Sequence, residues 1–256
     1  MMIETHCHLD YLKAEPLEDI RRKIKEAGIT KVVTIGVDPV NLDKVLELSN
    51  TYEEIYFTQG IHPHDAKEAT EIEFNKIISR SSRPKMVAVG EIGLDYHYNN
   101  SPPEIQRSVF EKQLQIACDQ DLPVVIHTRD ADEDTKAILK NFSGKLKRTG
   151  VVHSFTSTIE LAEFVLSEGF YIGFNGIITF KKAENVQAVV KITPVERILF
   201  ETDSPFLTPV PHRGKENAPF YLPFIAARIA ELKNVDLEKL KSQVYQNSLQ
   251  CFFKLN

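Results

Sequence analysis

Ile3-Glu4-Thr5-His6-Cys7-His8-Leu9-Asp10 is the stretch whose reading decides the fold. Its opening reads as a strand, and the strand ends in two histidines and an aspartate. An open, doubly wound sheet needs a glycine-rich phosphate loop at this point. None follows here, so a closed parallel barrel is the architecture to test along the chain. Strand side chains alternate with period two. Glu4, His6 and His8 therefore share one face, and Thr5, Cys7 and Leu9 the other. With the first face turned inward, both histidines enter the barrel together. Cys7 then packs toward the helices and is no ligand, despite its neighbours.

Seven more β-branched runs follow, at Lys31–Gly36, Ile55–His62, Met86–Gly93, Pro123–Thr128, Gly150–Phe155, Phe170–Phe174 and Arg197–Asp203. Helical stripes fall between them: Ile20, Ile24 and Ala27; Phe110, Leu114 and Ala117; Ile225, Ile229 and Leu232. Pro16, Pro39 and Pro102 stand where first turns begin, and Gly28 and Gly169 where helices end. Eight strand–helix units in about 250 residues is the size of a (β/α)8 TIM barrel. The expectation is an α/β fold with parallel strands, a single domain over residues 1–256, and a metal site at the C-terminal rim of the strands.

The 256 residues carry 31 Lys and Arg against 36 Asp and Glu, a net charge of −5, with 42% hydrophobic and 26% charged residues. That balance excludes a disordered or collagen-like chain. No stretch reaches the ~18 apolar residues of a membrane helix, and no signal peptide is visible at the start. Three cysteines, at 7, 118 and 251, give no disulfide framework. The expected setting is the reducing cytoplasm, with no membrane association and no obligate protein partner. A duplex binder working by charge alone shows a basic bulk. If this chain handles nucleic acid, its positive charge must be local, for instance as bound metal.

Six of the eight histidines, His6, His8, His62, His64, His127 and His153, fall at or just past expected strand ends, with Glu91 and Asp203 at equivalent ends. In a barrel those ends meet at one rim, where active sites are built. A lone histidine there is usually an ordinary core or surface residue. Several apolar strands each ending in a histidine or carboxylate point instead to metal, because buried unpaired charge is expensive. His6, His8, His127 and His153 with Glu91 and Asp203 exceed one tetrahedral site. They suit two cations ~3.5–4 Å apart. Glu91 is the natural bridge, shared between His6, His8 and Asp203 on one side and His127 and His153 on the other. Water shared by two such ions ionises near neutral pH and becomes a nucleophile. Asp203 would orient that water or accept its proton, so Glu91 and Asp203 are the expected catalytic pair. Nitrogen-rich ligation favours Zn, Mn, Co or Ni over Ca and is unusual for Mg, and leaves the identity open.

These residues carry a resemblance. The chain resembles the TatD family of metal-dependent deoxyribonucleases, within the amidohydrolase-like barrels, nearly end to end. The landmarks are Glu4-Thr5-His6-Cys7-His8-Leu9-Asp10, Gly60-Ile61-His62-Pro63-His64, Gly90-Glu91-Ile92-Gly93-Leu94-Asp95-Tyr96, Pro123-Val124-Val125-Ile126-His127-Thr128-Arg129, Val152-His153-Ser154-Phe155 and Glu201-Thr202-Asp203-Ser204-Pro205. The resemblance implies a TIM barrel, often described with Mg²⁺, that cleaves DNA phosphodiesters in a 3′-to-5′ or related manner. It implies metal ligation by the same six residues. Position 4 is usually Asp, and Glu4 is expected to sit behind the ligands and orient a ligand histidine. The loop motif is kept at Pro211, Arg213, Gly214, Asn217 and Pro219. Glu216 and Ala218 stand where a basic and an acidic residue are common, which predicts weaker phosphate binding there.

The expected substrate is single-stranded DNA or a DNA end. Arg129, Arg213 and, beside it, Lys215 are candidate phosphate holders, against a reading as surface ion pairs. His62 is a candidate substrate contact, and His64 a residue behind the ligands. Tyr96, Tyr98 and Phe206 could stack on bases. Asp95 reads as a loop cap. Two rival readings exist: a two-metal amidohydrolase acting on a small amide, lactone or ester, and a metal-binding partner protein without catalysis. Carbonyl-cleaving relatives often bridge their ions with a carboxylated lysine, whereas the fourth strand here offers Glu91.

Overall fold

The computed structural model describes residues 1–253. Its strands are β1 (Met2–Cys7), β2 (Ile29–Thr34), β3 (Ile55–Gln59), β4 (Met86–Asp95), β5 (Val124–Arg129), β6 (Gly150–Val152), β7 (Tyr171–Phe174) and β8 (Ile198–Phe200). They lie in chain order in one sheet, each parallel to the next. The connections carry α1 (Leu17–Glu26), α2 (Asn41–Thr51), α3 (Glu71–Arg80), α4 (Pro103–Gln120), α5 (Asp132–Phe142), α6 (Ile159–Ser167) and α7 (Glu184–Ile192). After β8 come α8 (Leu222–Lys233) and α9 (Leu237–Phe252).

The ring closes where the chain beyond β8 meets β1. The Asp203 N–H donates to the His6 carbonyl at 2.9 Å, the His8 N–H to the Ser204 carbonyl at 2.8 Å, and the Thr5 hydroxyl to the Phe200 carbonyl at 2.8 Å. This is a (β/α)8 TIM barrel.

Strand composition explains the layering. Parallel strands covered on both faces read as continuous apolar runs, and Val124, Val125 and Ile126 are all fully buried. Alternation divides them. Val125 packs inside with Val33, Val87, Val151 and Leu199, while Val124 and Ile126 join the larger cluster shared with the helices. Cys7 belongs to that outer cluster. Cys251 and Phe252 of α9 complete the inner one from below. Arg148, just ahead of β6, donates to the Cys251 carbonyl at 2.8 Å and holds that helix end under the barrel.

The helical stripes of α1, α4 and α8 face the sheet, although Ala27 and Leu232 are only partly buried. Pro16 and Pro102 directly precede α1 and α4, and Gly28 leaves α1 at φ 75°. The three cysteines are free. Among the described residues no helix is long and apolar enough to cross a membrane.

Strand ends differ from expectation in an instructive way. β6 and β8 stop early because the backbone turns left-handed shortly beyond them, at Ser154 (φ 46°) and Asp203 (φ 57°). β4 instead runs two residues past Gly93, to Asp95. That extension reshapes the site.

Candidate metal centre

Period two along β4 turns Glu91, Gly93 and Asp95 inward. Gly93, at φ 140°, is bare because a methyl there would strike the His127 carbonyl on β5. The bare position lets β4 and β5 run close together and brings His127 between the two carboxylates.

Glu91 is the hub, with each oxygen facing a different set of histidines. Its Oε2 lies 3.3 Å from His6 Nε2. His6 and His8 in turn place their Nε2 atoms 3.6 and 3.5 Å from Asp203 Oδ1. Its Oε1 lies 2.7 Å from His153 Nε2, 3.0 Å from His127 Nδ1 and 3.3 Å from His62 Nε2. The structure therefore brings all six expected ligands together, His6, His8 and Asp203 on one side of the Glu91 carboxylate and His127 and His153 on the other, where His62 joins them. The His6 and His153 rings stack face to face, 3.8 Å apart and 3° from parallel, which joins the two halves.

The cluster has the donor set of a cation site. Among the described residues, both ring nitrogens of His6 and Nδ1 of His8 and His153 are buried without a hydrogen-bond partner. Each such atom costs about 1–3 kcal/mol. His6, His8 and Asp203 present ligand atoms all within 4.8 Å of one another, as do His62, Glu91 and His127. Converging imidazole and carboxylate lone pairs suit a divalent transition ion.

Electrostatics follow from burial and pairing. Burial alone would neutralise Glu91, but the electrostatic pull of the neighbouring His153 and His62 rings and hydrogen bonds from His127 and His153 hold it well below the usual carboxylate range. Burial depresses His6 to about 4. Burial also opposes charge on His127, yet hydrogen bonds to Asp95 and Glu91 outweigh it and raise the imidazole to about 9.

Four residues behave differently from the expectations. Asp95 is more than a loop cap. Its Oδ1 accepts the backbone N–H groups of His97 and Tyr98, both at 3.0 Å, while its Oδ2 lies 3.0 Å from His127 Nε2 and 3.1 Å from His64 Nε2. It thereby fixes which nitrogen of His127 faces Glu91. The His64 ring reaches the centre through this carboxylate.

Glu4 does not touch a histidine ring. Its Oε1 accepts the backbone N–H groups of His6 and Thr202, both at 3.0 Å, so it acts on the backbone at the β1–β8 seam, and burial raises it to about 8. Arg213 is not at the cavity. Its Nη1 donates to the Thr208 carbonyl at 3.2 Å and its guanidinium lies 3.9 Å from the Phe180 ring centroid. Glu216 has a structural contact of its own, as a tie. It accepts the backbone N–H groups of Lys13 and Ala14 at 3.0 and 2.7 Å, joining the first and last rim loops.

One carboxylate escaped the sequence reading. Glu201, fully buried, accepts the Ser154 N–H and lies 3.8 Å from His153 Nδ1. Room for it comes from Gly173 on β7, where a methyl would collide with Oε2. Gly173→Ala should cost about 1–3 kcal/mol of stability, as overpacking does. A denaturant midpoint unchanged from wild type would contradict this packing.

The rings line a cavity of about 640 Å³. His62 has a fixed role at its wall. Its Nδ1 accepts the His64 backbone N–H at 3.1 Å, so the neutral ring carries its proton on Nε2, pointing at Glu91. Arg129 reaches the cavity and stands over the Tyr98 ring, its guanidinium 4.8 Å from the centroid. Tyr96 is turned away, its hydroxyl donating to Asp134 at 2.6 Å.

A TIM barrel with a histidine–carboxylate cluster at the strand ends defines a metal-dependent hydrolase. The model of the family described as TatD related DNase matches residues 3–253, and the chain belongs to that family. An uncharacterized metal-dependent hydrolase of Bacillus subtilis, YabD, is 40% identical over 98% of this chain and 99% of its own. The Erwinia tasmaniensis protein named 3′-5′ ssDNA/RNA exonuclease TatD is 33% identical over 93% of this chain and 94% of its own. The crystal structure of the Escherichia coli TatD homolog YJJV superposes with a TM-score of 0.92 at 30% identity, covering 98% of this chain and 97% of that one. An organophosphorus hydrolase structure, at 12% identity and TM-score 0.65 over 98% and 92% of the two chains, shares the fold.

Proposed function

We propose that this chain binds two divalent cations and hydrolyses phosphodiester bonds of single-stranded DNA from an end, in the 3′-to-5′ direction. His6, His8, Glu91 and Asp203 would hold one ion and Glu91, His127 and His153 the other. The observation that carries the reading is the division of histidines between the two oxygens of Glu91. The ions supply a Lewis-acid centre and water activated for attack.

The chain's own groups do the rest. Against Glu91 and Asp203 a pair of divalent ions leaves the floor positive, which favours an anionic substrate over a neutral amide or lactone. Asp203, at the mouth of the first set, accepts the proton of the attacking water. His62, its tautomer set by His64, turns its Nε2 proton toward the centre, where a non-bridging phosphate oxygen beside Glu91 shares it. Arg129 holds a neighbouring phosphate. The name of the Erwinia relative, a 3′-5′ ssDNA/RNA exonuclease, supports single-stranded nucleic acid as substrate. The free cysteines fit a reducing, cytoplasmic setting.

The test is end-labelled single-stranded DNA, offered before and after chelation and after reconstitution with Mg, Mn, Zn, Co or Ni, beside amide and lactone panels. Loss of DNA cleavage on chelation and return with one metal is expected. Turnover confined to the amide or lactone panel would overturn the proposal, as would metal-loaded protein inert on everything.

A further inference from the structure

Two exposed aromatic rings stand at the mouth of the cavity: Tyr98, 57% exposed, and Phe206, 51% exposed. Both are rigidly mounted. Tyr98 has its N–H on Asp95, its ring edge-on to His64 at 5.4 Å, and Arg129 over it. Phe206 donates its N–H to the Asp203 carbonyl at 3.0 Å, accepts from Asn217 at its own carbonyl, and lies 6.1 Å from the His8 ring. The first follows β4 and the second follows β8, so they face each other across the ring with Glu91 between.

The rim beyond them is electrically lopsided. Past Tyr98 and Arg129 opens a second hollow, about 890 Å³, lined by Asp130, Asp132, Glu133 and Asp134, of which Asp130 pairs with His97 at 2.8 Å and Asp134 with Arg107 at 3.1 Å. On the Phe206 side the exposed cations Lys13, Arg213 and Lys215 lie on the two loops tied together by Glu216.

Resting on the nuclease reading above, we infer that a single strand crosses the rim over Phe206 and terminates on the Tyr98–Arg129 platform, its further path barred by the acidic hollow. An aromatic ring with a guanidinium over it suits a base, whichever base it is. Phosphates continuing past it would meet an excess of carboxylate, with Asp132 and Glu133 in no ion pair among the described residues. The lysines draw the rest of the strand the other way. The site is then end-specific by charge, with no wall needed.

Two measurements test this on the metal-loaded protein. The first compares a linear oligonucleotide with the same sequence circularised. Wild type should cleave the circle at least about tenfold more slowly, and Asp130→Asn/Glu133→Lys should narrow that gap. Asparagine suits the left-handed backbone at position 130 (φ 52°), so the fold is kept.

The second places 2-aminopurine at either end or at an interior position of an oligonucleotide with phosphorothioate terminal linkages, which resist cleavage. Wild type should quench one terminal probe. Tyr98→Ala should abolish that quench and weaken binding about tenfold, and Tyr98→Phe should retain it. Equal cleavage of circle and line, no change in the double variant, or a quench that survives Tyr98→Ala would each overturn the inference. Failure of wild type to cleave any nucleic acid would overturn the nuclease reading itself.

Discussion

Glu91→Gln should yield a folded protein that hydrolyses its substrate about 10³-fold more slowly. Glutamine keeps the shape but loses the charge and one of two acceptor oxygens. It can no longer face His6 with one oxygen and His127 and His153 with the other. On the two-ion reading, metal content falls from two per chain to one or fewer. Far-UV circular dichroism, metal analysis and turnover on one preparation check this. Unchanged turnover with verified metal content would contradict the assignment. A collapsed melting temperature would mean that Glu91 is there for the fold. His127→Ala should behave the same way.

Asp95→Asn should lower activity and metal affinity by about 10–100-fold, the usual effect of losing the partner behind a metal-bound histidine. The substitution separates two roles of one carboxylate. The Asn oxygen still accepts from His97 and Tyr98, so the loop keeps its shape. The amide nitrogen now faces His127 Nε2, and two donors meet where a donor and an acceptor stood. The imidazole loses the bond that aims Nδ1 at Glu91. Metal titration of the folded variant reads this directly. Wild-type affinity would show that His127 is oriented by packing alone.

Strand-end chemistry was legible in the sequence because period two and burial act locally. The pair His6 and His8, the apolar runs ending in His127 and His153, and the missing glycine loop follow from residues within a few positions of one another. Asp95 reads as a loop cap because Gly93, a residue type that usually signals a break, ends the expected strand. The signal was nonetheless present: Glu91, Gly93 and Asp95 share one face of a strand that continues. Glu201 is hidden for a related reason. It alternates with Leu199 and Asp203, but its partner, the Ser154 amide, lies in the turn beyond β6, remote in sequence. Arg213 and Glu216 sit on an irregular loop, where no period says which way a side chain points. Their contacts with Phe180 and with Lys13 and Ala14 depend on tertiary geometry. The end of α9 under the barrel is equally a product of closure.

The seam between β1 and the chain past β8 differs from the other joins of the sheet. The seven joins between successive strands are parallel ladders, three of them with register shifts, whereas this junction relies on a few bonds, one of them to the Glu4 side chain. Proteins open first where cooperative support is thinnest. Deuterium should therefore enter the amides of His8, Thr202 and Asp203 before those of β4 and β5. The hoop has its clasp where the chemistry is, so breathing of the scaffold and access to the reacting centre become one motion.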